Sequence, residues 1–243
     1  MCKRIEMKTT QKKNLSESVA IMLRSKIMKG ELQANERIIE SEVAEAMQVT
    51  RGPVREALKI LEYEGLVTYE TKKGCKVTKL SSEDTYEVFY LRGSLEIMSL
   101  KLAGGRISDI SLLTMKSYLE EMKKSSEEND IEKMVQWDEL FHQEIIRAGN
   151  MKRLTKMWES LSPLNGAMFL KVNDIYVLRE GETWEDVFGE YQRQNFYDSH
   201  KILLEKLEEK NLDAAVESLW NHYIKTGERI YKIEARRKLL NKA

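Results

Sequence analysis

Ser41 to Gly65 reads SEVAEAMQVTRGPVREALKILEYEG, two helical stretches separated by a tight break. Ser41 is the expected N-cap of the first, because its hydroxyl can accept from free amides of a first turn. Val43, Ala44 and Met47 recur at helical spacing up to the break at Gln48-Val49. Thr50 is the expected cap of the second stretch, which runs through Ala57, Leu58, Leu61 and Tyr63. Pro53 falls in its first turn, where no intrahelical partner awaits the missing N–H. Arg51 and Arg55 are four residues apart and project from one face near that helix's start. A short helix, a tight break and an arginine-led second helix describe a helix-turn-helix whose second helix enters the DNA major groove. Two packed helices with a solvated basic edge would share the pattern.

The residues on either side favour the first reading. Leu66–Glu70 is β-prone, Thr71-Lys72-Lys73-Gly74 is a turn, and Cys75–Val77 is a second short strand. That predicts a two-stranded wing with lysines at its tip, suited to phosphate contact. Upstream, residues 1–13 are polar and expected to be a mobile tail. Asn14 or Ser16 can cap a first helix with a stripe of Val19, Ala20, Leu23 and Ile27, closed by Gly30. Residues 14–78 are therefore expected to form a winged helix of three helices plus a two-stranded wing, joined by a linker at 79–82 to a second domain at 83–243.

The run ANERIIESEVAEAMQVTRGPVREALKILEYEGLV, followed by KKGCKV, resembles the winged helix of the GntR family of bacterial repressors. The family's core is close to G-V-S-R-T-P-V-R-E-A-L, then L-E-x-E-G-L-V and a Gly-containing wing. Here Thr50 replaces Ser, Gly52 replaces Thr, and Gln48 stands where Gly is common. Upstream, Ala34 and Asn35 replace a usual Pro-Gly pair. The resemblance implies that Ser41, Thr50, Arg51, Gly52, Pro53, Arg55, Thr71, Lys72, Lys73 and Gly74 form the DNA-contacting set. A homodimer on a pseudo-palindromic double-stranded operator is expected as well, because one helix-turn-helix with few base contacts reads too short a site and such operators mirror two-fold proteins.

Composition agrees with such a division of labour. The chain has 243 residues and no net charge, but residues 1–79 hold 16 Lys and Arg against 11 Asp and Glu, leaving 24 against 29 for the rest. A basic first third beside an acidic remainder fits one domain that meets nucleic acid and another that does not. Cys2 and Cys75 are too few and too far apart for a disulfide framework or a thiolate metal site, and point to a reducing compartment. The N-terminus has no apolar core, so it is not a signal peptide, and no apolar run approaches a membrane span. A bacterial cytoplasmic location is expected. With two prolines and few strand signals outside the wing, the chain is mainly α.

The second domain reads as helices throughout. Ser81 or Ser82 caps a helix to about Ala103, broken by Gly104-Gly105; a second runs from Ser108 to about Lys124, and Ser125–Asn129 is expected to be a solvated turn. Asp130 caps a helix to Ala148, Met151 to about Tyr176 is helical with a possible bend at Pro163, and residues 179–190 are expected to be a loop. The last two helices are Asp198–Lys210 and Asp213 to about Lys238. On inward faces of these helices lie the chain's three histidines, His142, His200 and His222, with Asp138 one helical turn before His142. Each histidine could be a hydrogen-bonded core residue. Together the four could hold a divalent transition metal, since imidazole and carboxylate suit zinc, nickel, manganese or iron.

DTYEVFYLRGSLEIMSLKLA resembles the opening helix of the all-helical FCD ligand-binding domain of the FadR-like branch, with Tyr86, Glu87, Arg92, Leu95 and Glu96 on its pattern. That domain's D-x-x-x-H is Asp138 to His142, continuing to Ala148-Gly149-Asn150, with later histidines at His200 and His222. The resemblance implies a metal shell of Asp138, His142, His200 and His222, zinc first among the candidates. It places Arg92 to meet an effector carboxylate, as a guanidinium fork matches that group. An ordinary ion pair, for instance with Glu96, is the competing role for Arg92. The expected function is a transcriptional regulator, a repressor, whose operator binding is modulated by a small carboxylate at the metal site, with no catalytic residues. A metal-dependent hydrolase-like enzyme fused to a DNA-binding head, and a helical scaffold with a vestigial site, are the alternatives. No HExxH, G-x-S-x-G or P-loop accompanies the histidines.

Overall fold

The computed structural model describes residues 2–70, 74–128, 130–175, 180–181 and 196–240. The chain divides into two compact units, Met1–Lys79 and Leu80–Ala243. The first comprises α1 (Cys2–Met28), β1 (Arg37–Ile38), α2 (Glu40–Ala46), α3 (Arg51–Tyr63), β2 (Val67–Glu70) and β3 (Gly74–Val77). The α1 stripe of Val19, Ala20, Leu23 and Ile27 is buried, as are Val54, Ala57, Leu58 and Leu61 of α3, and the two helices pack together. A Leu→Ala change in such a core costs about 2–5 kcal/mol, so this contact sets how firmly α3 is presented.

The helix-turn-helix closes through its backbone rather than through the expected caps. α2 starts at Glu40 behind an extended Ile39, so Ser41 is its second residue and not its cap. Glu40 and Glu42 supply the first-turn negative charge that favours a helix start. Thr50 does occupy the N-cap position of α3, but its side chain makes no capping hydrogen bond. The break itself is a Schellman turn: Gln48 N–H donates to Glu45 O at 3.1 Å and Val49 N–H to Ala44 O at 2.9 Å. Gln48 takes φ +52° to make it, and Asn35 takes φ +68° in the connector. Both therefore occupy left-handed backbone, where a glycine would be unstrained.

Two further differences from the sequence reading have local causes. α1 begins at Cys2 rather than near Asn14. No Gly or Pro interrupts residues 2–29, and Lys, Glu, Gln and Met are good helix formers. The wing has a third strand, because β1 from the connector pairs antiparallel with β3, setting Arg37 opposite Lys76 and Ile38 opposite Cys75, in sheet order β1-β3-β2. Burial of Ile38 and Cys75 on one face of that pair fixes the register.

The second unit comprises α4 (Ser82–Leu102), α5 (Asp109–Glu127), α6 (Ile131–Ala148), α7 (Lys152–Ile175), α8 (Phe196–Glu208), α9 (Leu212–Leu219), a π-helical turn (Trp220–Lys225) and α10 (Thr226–Leu240). Ser81 caps α4 in a reciprocal pair with Asp84, Ser108 caps α5, Asp130 caps α6 and Asn211 caps α9. The turn expected from Ser125 is instead helical as far as Glu127; the Ser125 hydroxyl is buried and donates to Glu121 O at 2.8 Å. Pro163 lies within α7, and most of the expected 179–190 loop lies outside the described residues.

α4 is the organising helix of this unit, packed against α6, α7, α9, the π turn and α10. Two glycines permit the closest approaches. A Cβ on Gly93 of α4 would stand 2.8 Å from Tyr223 Cβ in the π turn. A Cβ on Gly149, at the end of α6, would stand 2.9 Å from Ser99 Cα on α4. The Ser99 hydroxyl locks the second crossing, accepting from Gly149 N–H at 3.0 Å and reaching Ile145 O at 2.8 Å.

Candidate functional site

Asp138, His142, His200 and His222 meet inside the helical unit, each offering a ligand atom, and these atoms all lie within 4.8 Å of one another. α6 presents Asp138 and His142 on successive turns, α8 presents His200, and the π turn presents His222. Asp138, His142 and His200 are buried, and His222 is half-buried. His200 Nε2 is 2.9 Å from Asp138 Oδ1 and 3.2 Å from His142 Nε2, which is itself 3.7 Å from Asp138 Oδ1. Donors sharing one ion through bonds of about 2.1 Å lie roughly 3–4 Å apart, so the spacings among Asp138, His142 and His200 fit a common ion, and the 4.8 Å span of the full set requires the ligands to draw inward on binding. The donor set, three imidazoles and one carboxylate, suits a divalent transition metal.

The surrounding side chains hold the four in place. His142 Nδ1 faces Glu96 Oε2 at 2.7 Å, and Asn165 Nδ2 donates to Asp138 Oδ2 at 2.7 Å. His222 Nδ1 lies 3.2 Å from Ser199 Oγ. A groove of about 240 Å³ lined by Ser199, Lys206, Ser218, Asn221 and His222 opens beside the half-buried histidine. Sequence reasoning missed Asn165 and Ser199, and saw Glu96 on the opening-helix pattern and as a possible partner for Arg92, not as a partner of His142. Each lies far along the chain from the ligand it meets, from 23 to 46 residues, and that separation carries no local signal.

Charges inside the cluster set opposite tendencies on neighbouring rings. Burial works against the Asp138 carboxylate, but the hydrogen bond from His200 and the fields of His142, His200 and Arg92 outweigh it and hold its pKa low. For His142 burial is outweighed by Glu96 and Asp138, so its pKa is raised. For His222 burial, reinforced by His200 and His142, pushes the pKa well below its ordinary value and favours the neutral ring. A neutral ring keeps the lone pair that a metal needs.

Arg92 is fully buried on α4, with its guanidinium 4.1 Å from the Trp158 ring centroid. Its Nη2 donates to Glu139 Oε2 at 2.8 Å and its Nη1 to Ser162 Oγ at 3.4 Å, so its ion-pair partner is Glu139 rather than Glu96. Burial disfavours its charge, but Tyr223, Glu139, Glu96 and Asp138 outweigh that and raise its pKa. Its Nε is buried with no protein hydrogen-bond partner, which leaves one donor for a ligand.

In the first unit, Arg51 and Arg55 are both exposed along one side of α3, while Pro53 is buried and Gly52 half-buried. Arg55 Nε donates to Glu40 Oε2 at 2.7 Å, so a phosphate or base edge would have to compete with an internal carboxylate. Gly74 opens β3 at φ +83°. Thr71, Lys72 and Lys73 lie outside the described residues. Arg37 lies opposite Lys76 on the wing sheet, a basic position that sequence reasoning did not single out. Among the described residues, no helix is long and apolar enough to cross a membrane.

Comparisons with known proteins place both units. Residues 15–77 match the family of bacterial regulatory proteins, gntR family, and residues 87–225 match the FCD domain. The gluconate operon transcriptional repressor of Bacillus licheniformis is 26% identical over 205 residues, covering 84% of this chain and 80% of that protein. A probable D-xylose utilization operon transcriptional repressor of Paenarthrobacter nicotinovorans is 24% identical over 220 residues, covering 89% and 90%. Among solved structures, a putative GntR transcriptional regulator from Rhodococcus sp. RHA1 superposes with TM-score 0.70 at 21% identity, covering 89% of this chain and 97% of that one. Escherichia coli McbR/YncC does so with TM-score 0.66 at 22% identity, covering 90% and 97%. The winged helix that presents Arg51 and Arg55 and the helical unit that gathers three histidines are thus one known pairing, and the chain belongs to the GntR family of transcriptional regulators, with an FCD domain as its second unit.

Proposed function

We propose that this chain is a cytoplasmic, homodimeric bacterial repressor whose operator binding is modulated by a small carboxylate held at a metal ion in the helical unit. The observation that carries the reading is the convergence of Asp138, His142, His200 and His222 within 4.8 Å, beside a buried guanidinium with an unpartnered Nε. The four side chains would hold the ion, with zinc expected first from three nitrogens and one oxygen. When bound, the ion supplies a Lewis-acidic centre that a carboxylate oxygen can bind. Arg92 Nε is the group for the anion's other oxygen. The related gluconate operon repressor makes a sugar acid the first class to test.

Two observations support the rest of the reading. Arg51 and Arg55 on the exposed side of α3 suit groove and phosphate contact. On α4, Leu91, Met98 and Leu102 are 50%, 52% and 55% exposed on one face, apolar surface that a second copy would cover. The experiment is a gel shift with the His142→Ala variant beside metal analysis and calorimetry against sugar acids. The expected variant binds operator normally, carries less metal and no longer responds to the acid that releases the wild type. Full metal content together with an unaltered response refutes the site. Turnover of a carboxylate ester by the purified metal-loaded chain would support the hydrolase alternative instead.

A further inference from the structure

Glu96 lies one turn beyond Arg92 on α4 and is fully buried. Its two oxygens collect donors from three separate elements. Oε1 accepts from Trp158 Nε1 on α7 at 2.8 Å and from Tyr223 OH in the π turn at 3.0 Å. Oε2 faces His142 Nδ1 on α6 at 2.7 Å. A carboxylate can only accept, so His142 presents a proton on Nδ1, and in the neutral ring Nε2 keeps its lone pair. Nε2 is the atom that lies 3.2 Å from His200 Nε2 and 3.7 Å from Asp138 Oδ1.

From this we infer that Glu96 is a positioning residue for the metal site: it fixes the tautomer and the rotation of His142 so that Nε2 is the ligand. The inference rests on the metal-binding reading above and adds a residue outside the four-ligand set. Trp158 and Tyr223 position Glu96 in turn, since both donors lie on Oε1 and leave Oε2 to the imidazole. A partner of this kind raises ligand basicity, and its loss costs about 10–100-fold in metal affinity.

Glu96→Gln tests the role with almost no change of shape. If its amide NH2 faces His142, it donates to Nδ1, moving the ring proton to Nε2, where it blocks the ion. If it is flipped, the NH2 faces the Trp158 N–H, donor against donor. Neither orientation reproduces the wild-type network. The full chain is titrated with Zn2+ against a chromogenic chelator and with Co2+ by visible absorption, and the His142 ring is followed by long-range 1H–15N correlation.

The expected result is a wild type that binds both ions, with the His142 proton on Nδ1. Glu96→Gln should bind about 10–100-fold more weakly with an altered Co2+ spectrum. Wild-type affinity and spectrum in a folded Glu96→Gln overturn the positioning role while leaving the metal site standing. A wild type that takes up neither ion overturns the metal reading and this inference with it. Should Glu96→Gln not fold, the wild-type tautomer decides: a His142 proton on Nε2, with Nδ1 as the ligand, overturns the inference.

Discussion

Gly93→Ala probes how the central helix sets the candidate metal site. The added methyl would lie 2.8 Å from Tyr223 Cβ and 3.3 Å from Tyr223 Cγ. Carbon atoms rest at about 3.5–4.0 Å, so α4 and the π turn must separate by roughly 1 Å or distort locally. Overpacking of this kind costs about 1–3 kcal/mol. Against it stands the helix propensity of Ala over Gly, worth about 1 kcal/mol in a helix interior. The net change in stability is therefore small, about 0–2 kcal/mol destabilising. Metal binding has no such compensation. His222 is the neighbour of Tyr223 in the same π turn, and ligand distances tolerate only about 0.2 Å. Metal affinity should fall by about tenfold or more, a size typical of disturbed ligand support, while the melting temperature of the metal-free protein moves by a few degrees. Chelator competition and a thermal melt on one preparation read both. Wild-type metal affinity in Gly93→Ala would refute the claim that this approach positions His222.

Three other perturbations address the first unit. Gln48→Gly should stabilise it by about 1 kcal/mol, because a left-handed conformation at φ +52° strains a residue with a Cβ but not glycine; a lower urea midpoint would count against that account. Arg55→Ala should weaken operator binding by about 1–3 kcal/mol if the side chain leaves Glu40 to read a base edge, and an unchanged gel-shift titration would remove it from the interface. Burial, then Glu62 and Glu40, push the Cys75 thiol from 9.0 up to about 11, and burial, then Cys75, push Tyr69 up to about 12. Both groups hold their protons more tightly when folded, so their contribution is intact below about pH 9 and fades as pH rises towards 11–12. The urea midpoint should accordingly drop between pH 9 and pH 11, and a flat profile would contradict the burial of the wing sheet.

What was legible in the sequence was what repeats locally. The Val19, Ala20, Leu23 and Ile27 stripe, the Asp138 and His142 pair one turn apart, and the apolar face shared by His200, Leu203, Leu204 and Leu207 all follow from helical periodicity, and these residues are buried. What was not legible depends on partners far away in the chain. β1 exists because Ile38 finds Cys75, and the residues of β1 alone would not announce a strand. Glu96 and His142 are 46 residues apart, and Trp158 is 62 from Glu96. The π turn has no compositional mark, since Trp220 to Lys225 would fit an α-helix equally well; what sets it apart is tertiary, with Tyr223 packed on Gly93, Phe89 and Glu96 of α4. Ser41 misled because its side chain is a good cap, but Ile39 already supplies the extended residue from which α2 starts.

Charge balance bears on what the cluster holds. Glu96, Asp138 and Glu139 face one guanidinium, that of Arg92, so two formal negative charges remain in and beside a buried site. Each carboxylate is hydrogen-bonded: Glu96 by Trp158, Tyr223 and His142, Asp138 by Asn165 and His200, and Glu139 by Arg92 and Ser162. Hydrogen bonds lower the cost of burying an anion but do not cancel its charge. Two imidazole protons could offset the excess, but they would set like charges on rings whose centroids are only 4.4–5.1 Å apart. Burial, with the fields of His200 and His142 added, already pushes the His222 pKa well below its ordinary value. A dication between Asp138 and the three neutral rings offsets both charges at once and leaves no like charges adjacent. That difference is the physical reason to expect the four side chains to hold an ion rather than a network of protons.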